Sequence, residues 1–99
     1  MPTVDCKSVI TSLHALKRMI SRSISSDEIK EVLNKGEIIK EYPDDMPYPS
    51  MLIYKEVNAK QIHIVTGRNS ATGECVIITV YIADEEIWEQ DYKTKKSLT

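Results

Sequence analysis

The sequence predicts an α+β fold in which an N-terminal αα-hairpin packs on one face of a four-stranded, mainly antiparallel sheet. Three observations carry this expectation. Apolar residues recur at helical spacing before residue 36, β-branched residues alternate after it, and Tyr42-Pro-Asp-Asp-Met-Pro-Tyr-Pro-Ser50 sets three of the four prolines in a stiff corner within the β half. Ninety-nine residues suit one domain, 1–99, divided as a helical hairpin over 5–36, a sheet over 37–83 and an acidic segment over 84–99.

The spacing of Val9, Leu13, Leu16 and Ile20 predicts a first helix from about Asp5 to Ser21, with Asp5 or Thr3 as its N-cap and those four residues facing the core. Lys7, His14, Arg18 and Arg22 fall on the other side as a basic stripe, with His14 and Arg18 one turn apart. The second helix opens on a capping box, Ser25 with Glu28, and a hydrophobic staple, Ile24 with Ile29. Ile29, Val32 and Leu33 face inward, and Gly36 is expected to end the helix in left-handed geometry.

Strands are expected over 37–42, 50–57, 60–67 and 74–82, with Asn58-Ala59 as a tight turn between the second and third. Short connections imply a meander with one face left open to water or a ligand. Alternation puts Ile62, Ile64 and Thr66 on one face of the third strand and His63 and Val65 on the other. In the fourth, Val76, Ile78, Val80 and Ile82 lie opposite Cys75, Ile77, Thr79 and Tyr81. With the aliphatic sets against the helices, His63, Thr79 and Tyr81 share the open face. A hairpin folded about residue 71 pairs His63 with Thr79.

Beyond the strands, Asp84, Glu85, Glu86, Glu89 and Asp91 surround Ile87 and Trp88. This acidic block reads as solvated helix surface, with packing through Trp88 or orientation of RNA by repulsion as alternatives. Lys93 to Lys96 read as a frayed tail. The formal net charge of −2 argues against coating nucleic acid by bulk electrostatics, although local clustering is compatible with binding it. Cys6 and Cys75 show no disulfide or zinc spacing and read as idle thiols in a reducing compartment. With no apolar leader and no run of spanning length, the expected location is cytoplasmic.

Glycine is too scarce for a phosphate loop, and no Gly-x-Ser-x-Gly elbow is present. Asp44-Asp45 forms a turn or, on a sharper reading, a metal or acid/base pair, but no nearby ligand completes a metal set. No cofactor is signalled. What remains is His14, Arg18, His63, Thr79 and Tyr81, which the elements bring toward one edge of the sheet. Metal-free RNA cleavage needs a base for the 2′-OH proton, an acid for the leaving 5′-oxygen and a cation on the phosphate; histidine suits the first two and arginine the third.

The pattern His14-Ala-Leu-Lys-Arg-Met19, Gly36-x-Ile-Ile39, Tyr42-Pro-Asp-Asp-x-Pro-Tyr-Pro-Ser-x-Leu52, Ile62-His-Ile-Val65 and Thr79-x-Tyr81 resembles a family of small bacterial and archaeal proteins. That family is catalogued as a domain of unknown function and grouped with RelE/ParE-like ribonuclease toxins. The resemblance implies an α-α-β-β-β-β fold of RelE/ParE-like type, RNA as substrate, and a small zinc-finger or helix-turn-helix antitoxin as partner. It carries His14, Arg18, His63, Thr79 and Tyr81 across as site residues, with His63 or His14 as base and acid. The acidic balance of this chain departs from the basic character of most such toxins. A non-catalytic protein-binding module on the same scaffold is the alternative.

Overall fold

The computed structural model describes residues 4–96. Its elements run β1 (Ser8–Thr11), α1 (Leu13–Ser21), α2 (Ser26–Lys35), β2 (Glu37–Tyr42), β3 (Ser50–Val57), β4 (Lys60–Arg68) and β5 (Glu74–Ile82). The class is α+β, as the sequence predicts. The sheet has five strands rather than four, in the order β1-β5-β4-β3-β2, and it is mixed because β1 runs parallel to β5. α1 lies against β5, and α2 against β3 and β4, so both helices cover one face.

The expected helix over 5–21 is corrected to a strand and a shorter helix. Val9, Ile10 and Thr11 are consecutive β-branched residues, which favour extended backbone over helix. Ser12 then stops the strand and starts the helix: its Oγ accepts from the Ala15 amide and donates to the Ile78 carbonyl, each at 3.1 Å. Ser12 is therefore the N-cap in place of Asp5, while Thr3 lies outside the described residues. Pinned in this way, α1 presses Ala15 and Met19 onto the sheet, and Leu13, Leu16 and Ile20 face outward. The apolar stripe expected to fill the core is exposed, from 45% at Leu16 to 76% at Ile20.

α2 follows its sequence closely. Ser25 Oγ accepts from the Glu28 amide at 3.1 Å, and Glu28 Oε1 accepts from the Ser25 amide at 2.9 Å. Glu28 also accepts from Asn58 and pairs with Lys60 Nζ at 3.0 Å, so one buried carboxylate joins the helix start to the β3–β4 turn. Asn58 and Ala59 form that turn with φ of 53° and 65°, as the tight-turn reading requires. Gly36 corrects an expectation, because its φ of −71° is ordinary extended geometry. Its need for glycine is space: a Cβ there would lie 2.3 Å from the Val32 carbonyl oxygen and 2.7 Å from Ile53 Cγ2.

β5 carries the decisive irregularity. Thr79 pairs with Val65 and Ile77 with Thr66, leaving Ile78 as an extra residue in a bulge. Alternation therefore reverses at Ile78. Val80 and Ile82 face the helices as expected, but Cys75 and Ile77 join them and Val76 and Ile78 turn away. That reversal turns Cys75 toward Cys6, and the two are joined in a disulfide, correcting the expectation of free thiols. Two bridged cysteines no longer point to a reducing compartment. Among the described residues no helix is long and apolar enough to cross a membrane.

The second face of the sheet is not open. The proline corner, with Met46–Pro47 cis, covers Gly67, Val76 and Ile78 at one end. At the other end the chain from Asp84 to Lys96 folds back as a strap, burying Trp88 against Leu52 and Ala83 with Tyr42, Val65, Tyr81 and Tyr92 around it. The acidic block is thus a set of turns and not a helix, and it packs through Trp88. Lys93 to Lys96 are ordered into the strap: Lys93 Nζ reaches Glu37 at 3.2 Å, Lys95 bridges Trp88, and the Lys96 amide donates to the Ile87 carbonyl.

Candidate functional site

Four of the five sequence-predicted residues form two bonded pairs along β5, His14 with Thr79 and His63 with Tyr81, and Arg18 stands apart. His14 stands in the first turn of α1, where the Ser12 cap brings the helix to the β5 edge beyond the end of β1. Its Nε2 lies 3.0 Å from Thr79 Oγ1. Arg18 follows one helical turn later and is exposed, with no acidic side chain paired to it among the described residues. Lys7 precedes β1 and lies beside Gly73, so the expected basic stripe is reduced to His14, Arg18 and Arg22 on and after α1.

Tyr81 lies two residues beyond Thr79 on the same face, about 7 Å along the strand. It pairs with His63 on β4, which corrects the expected His63–Thr79 pairing by two residues. The even displacement keeps His63 on the predicted face. His63 is fully buried, and both of its ring nitrogens are engaged. Nε2 lies 2.7 Å from the Tyr92 carbonyl oxygen, which can only accept, so Nε2 carries the proton. Nδ1 is then the acceptor of the neutral ring, and the Tyr81 hydroxyl donates to it at 3.1 Å. Burial holds the imidazole below its usual pKa, partly opposed by the bond to Tyr92, and burial likewise raises the Tyr81 phenol.

Aromatic rings close the cage around His63. Trp88 meets it edge-on at 4.5 Å between centroids, Tyr81 lies at 5.1 Å and Tyr54 at 5.5 Å, with Tyr92 stacked on Tyr54. The strap therefore seals His63 while leaving His14 and Arg18 exposed. Enclosed by these rings, His63 holds the Tyr81 hydroxyl through Nδ1. Thr79 and Tyr81 are both partly accessible, between the two histidines.

Asp45 resolves as framework, accepting a short hydrogen bond from Ser50 Oγ across the proline corner. No group of three or more His, Cys, Asp or Glu is placed to hold a metal among the described residues. Sequence reasoning missed Tyr54, Trp88 and Tyr92 as partners of His63. The available signal was a lone tryptophan inside an acidic run, which has little reason to sit in water.

A family model described as a domain of unknown function (DUF4258) matches residues 11–82. The chain belongs to the DUF4258 family. No curated protein and no solved structure gives a match to the chain. The DUF4258 match contains His14, Arg18, His63, Thr79 and Tyr81, while Cys6 and the strap over 84–96 fall outside it. The His14–Thr79 and Tyr81–His63 contacts are thus made within the DUF4258 domain, and the cover over His63 is added by the chain that follows.

Proposed function

We propose that this protein is the toxin of a toxin–antitoxin pair, an endoribonuclease of RelE/ParE-like type that cuts RNA by metal-independent attack of a 2′-OH on the adjacent phosphate. The observation that carries the reading is an exposed imidazole, His14, bonded to Thr79 and followed one turn later by an arginine with no acidic partner among the described residues. His14 takes the 2′-OH proton through its imidazole and returns it to the departing 5′-oxygen. Arg18 meets the phosphate oxygens. Thr79 orients His14. Tyr81, with its hydroxyl fixed by buried His63, borders the phosphate, so His63 is a positioning residue here.

The test is incubation of the purified protein with RNA in EDTA and analysis of the new 3′ ends. The expected product carries a 2′,3′-cyclic phosphate, with His14→Ala and Arg18→Ala each slowing cleavage by about 100-fold or more. RNA left intact by the wild-type protein would sink the reading.

The second reading, a non-catalytic protein-binding module, is supported by the exposed Val9, Ile10, Leu13, Leu16 and Ile20 on β1 and α1. β1 is an edge strand beside that surface, suited to strand addition by a small antitoxin-type protein of zinc-finger or helix-turn-helix kind. A stable complex formed through this face, with neither RNA cleavage nor toxicity, would favour it over the first.

A further inference from the structure

Trp88 separates two cavities of opposite charge. On one side the wall carries Glu85, Glu86, Glu89 and Asp91, with Lys96 among them. On the other, between the strap and the face formed by β2, β3 and β5, lies a cavity of about 320 Å³ whose lining includes Lys40, Lys93 and Lys95 and no carboxylate. Its size falls at the lower end of small-ligand sites, about 300–1,000 Å³. Lys40 Nζ stands 5.5 Å from the Tyr42 ring centroid and Lys95 Nζ 5.8 Å from that of Trp88, so each ring carries a lysine over one face. Lys93 is partly neutralised by Glu37, but Lys40 and Lys95 have no acidic partner among the described residues. Tyr81 borders the same cavity, which joins it to the row of Tyr81 and Thr79 on β5.

We propose that this cavity binds one nucleotide of an RNA strand, with its base against Tyr42 in the apolar part of the cavity beside Trp88 and its phosphate held by Lys40, Lys93 and Lys95. Flat aromatic surface takes any base by stacking, and lysines meet phosphate as point charges, so the site recognises a nucleotide without selecting its sequence. A strand seated here runs past Tyr81 toward Thr79 and His14. The inference rests on the RNA reading for the choice of a polymer over a free nucleotide, and it does not require cleavage. A chain of net charge −2 would engage RNA here through local clustering, since three lysines line this cavity and no carboxylate does.

Trp88 is the sole tryptophan and lines both cavities, so intrinsic fluorescence reports binding at either, and the lysine variants assign the response to this one. The protein is titrated with uridine 5′-monophosphate, with uridine, with inorganic phosphate and with a short oligouridylate. Saturable quenching by the oligomer is expected, at least tenfold tighter than by uridine or phosphate alone. Lys40→Glu with Lys95→Glu should weaken it tenfold or more at unchanged far-UV circular dichroism, while Lys30→Glu on α2 leaves it as in wild type. Binding of both oligomer and monophosphate supports the site, and binding of the oligomer alone supports it as a polymer subsite. Binding of the monophosphate alone overturns the assignment to RNA. No saturable response to either, or full affinity in the double variant, overturns the site. Quenching by an oligomer that stays intact keeps the subsite and removes the nuclease, whereas cleavage without a Trp88 response does the reverse.

Discussion

Breaking the Cys6–Cys75 disulfide is the most direct perturbation of the fold. The bond closes a loop with a sequence separation of 69 residues. In the chain-entropy treatment, a loop of that size removes about 15 cal/mol/K from the unfolded chain, or about 4.4 kcal/mol at 25 °C. That is a large part of the 5–15 kcal/mol or so that holds a domain together. The native state also loses its hold on β1, which contacts the sheet only through β5 and whose four residues are all exposed. Urea unfolding followed by circular dichroism should show the midpoint falling by roughly 2–4 M on reduction, given the usual urea slope for a small domain. A Cys6→Ser, Cys75→Ala variant should match the reduced protein. Thiol titration of the unreduced, denatured protein should find no free thiol. Two titratable thiols in the native preparation, or equal midpoints with and without reductant, would refute the reasoning.

Glu28→Gln should cost about 2 kcal/mol, because the side chain keeps its cap to the Ser25 amide but loses the charge that Asn58 and Lys60 address; chemical denaturation reads this out. Hydrogen bonds from the Ser25 amide and Asn58, with Lys60 beside them, lower the Glu28 pKa from 4.5 to about 2. Its contribution is therefore complete above about pH 4.5 and is lost as pH falls toward 2, so the wild-type advantage over Glu28→Gln should vanish across that window. Burial depresses the His63 pKa, so the unfolded chain binds more protons than the native one below the unfolded value of about 6.5, and stability falls as pH drops through that point. Trp88 emission should shift to the red over the same range, and His63→Gln should flatten the response. A response unchanged by that substitution would assign it to another group. Gly36→Ala should destabilise by about 2 kcal/mol or more, since its Cβ meets the Val32 carbonyl and Ile53; a thermal melt equal to wild type would contradict the packing seen there.

Particular residues show which parts of this arrangement were legible beforehand. Ser25 and Glu28, the Asn58-Ala59 turn and the alternation around His63 depend on neighbours within a few residues, and each takes its expected form. The His63 register was misplaced by two residues yet kept its face, because parity along a strand is more robust than the pairing itself. β1 was hidden because Val9, Leu13, Leu16 and Ile20 satisfy a helical period by accident. Nothing local reveals that Ser12 finds the Ile78 carbonyl 66 residues away and ends the strand there. In the candidate site, His14 and Thr79 meet through that same contact, whereas the lysines of the Trp88 cavity come together only when the strap folds over the sheet.

The sequence by itself determined the class, the second helix, four of the five strands and the face on which His63, Thr79 and Tyr81 gather, since these follow from caps, turns and period-two alternation. Tertiary structure decided the rest through one residue: the bulge at Ile78 reverses β5, turns Cys75 toward Cys6, frees a carbonyl for Ser12 and so brings α1 to the sheet edge. A bulge is set by how two strands and a helix fit together, and that fit is a property of distant residues in contact.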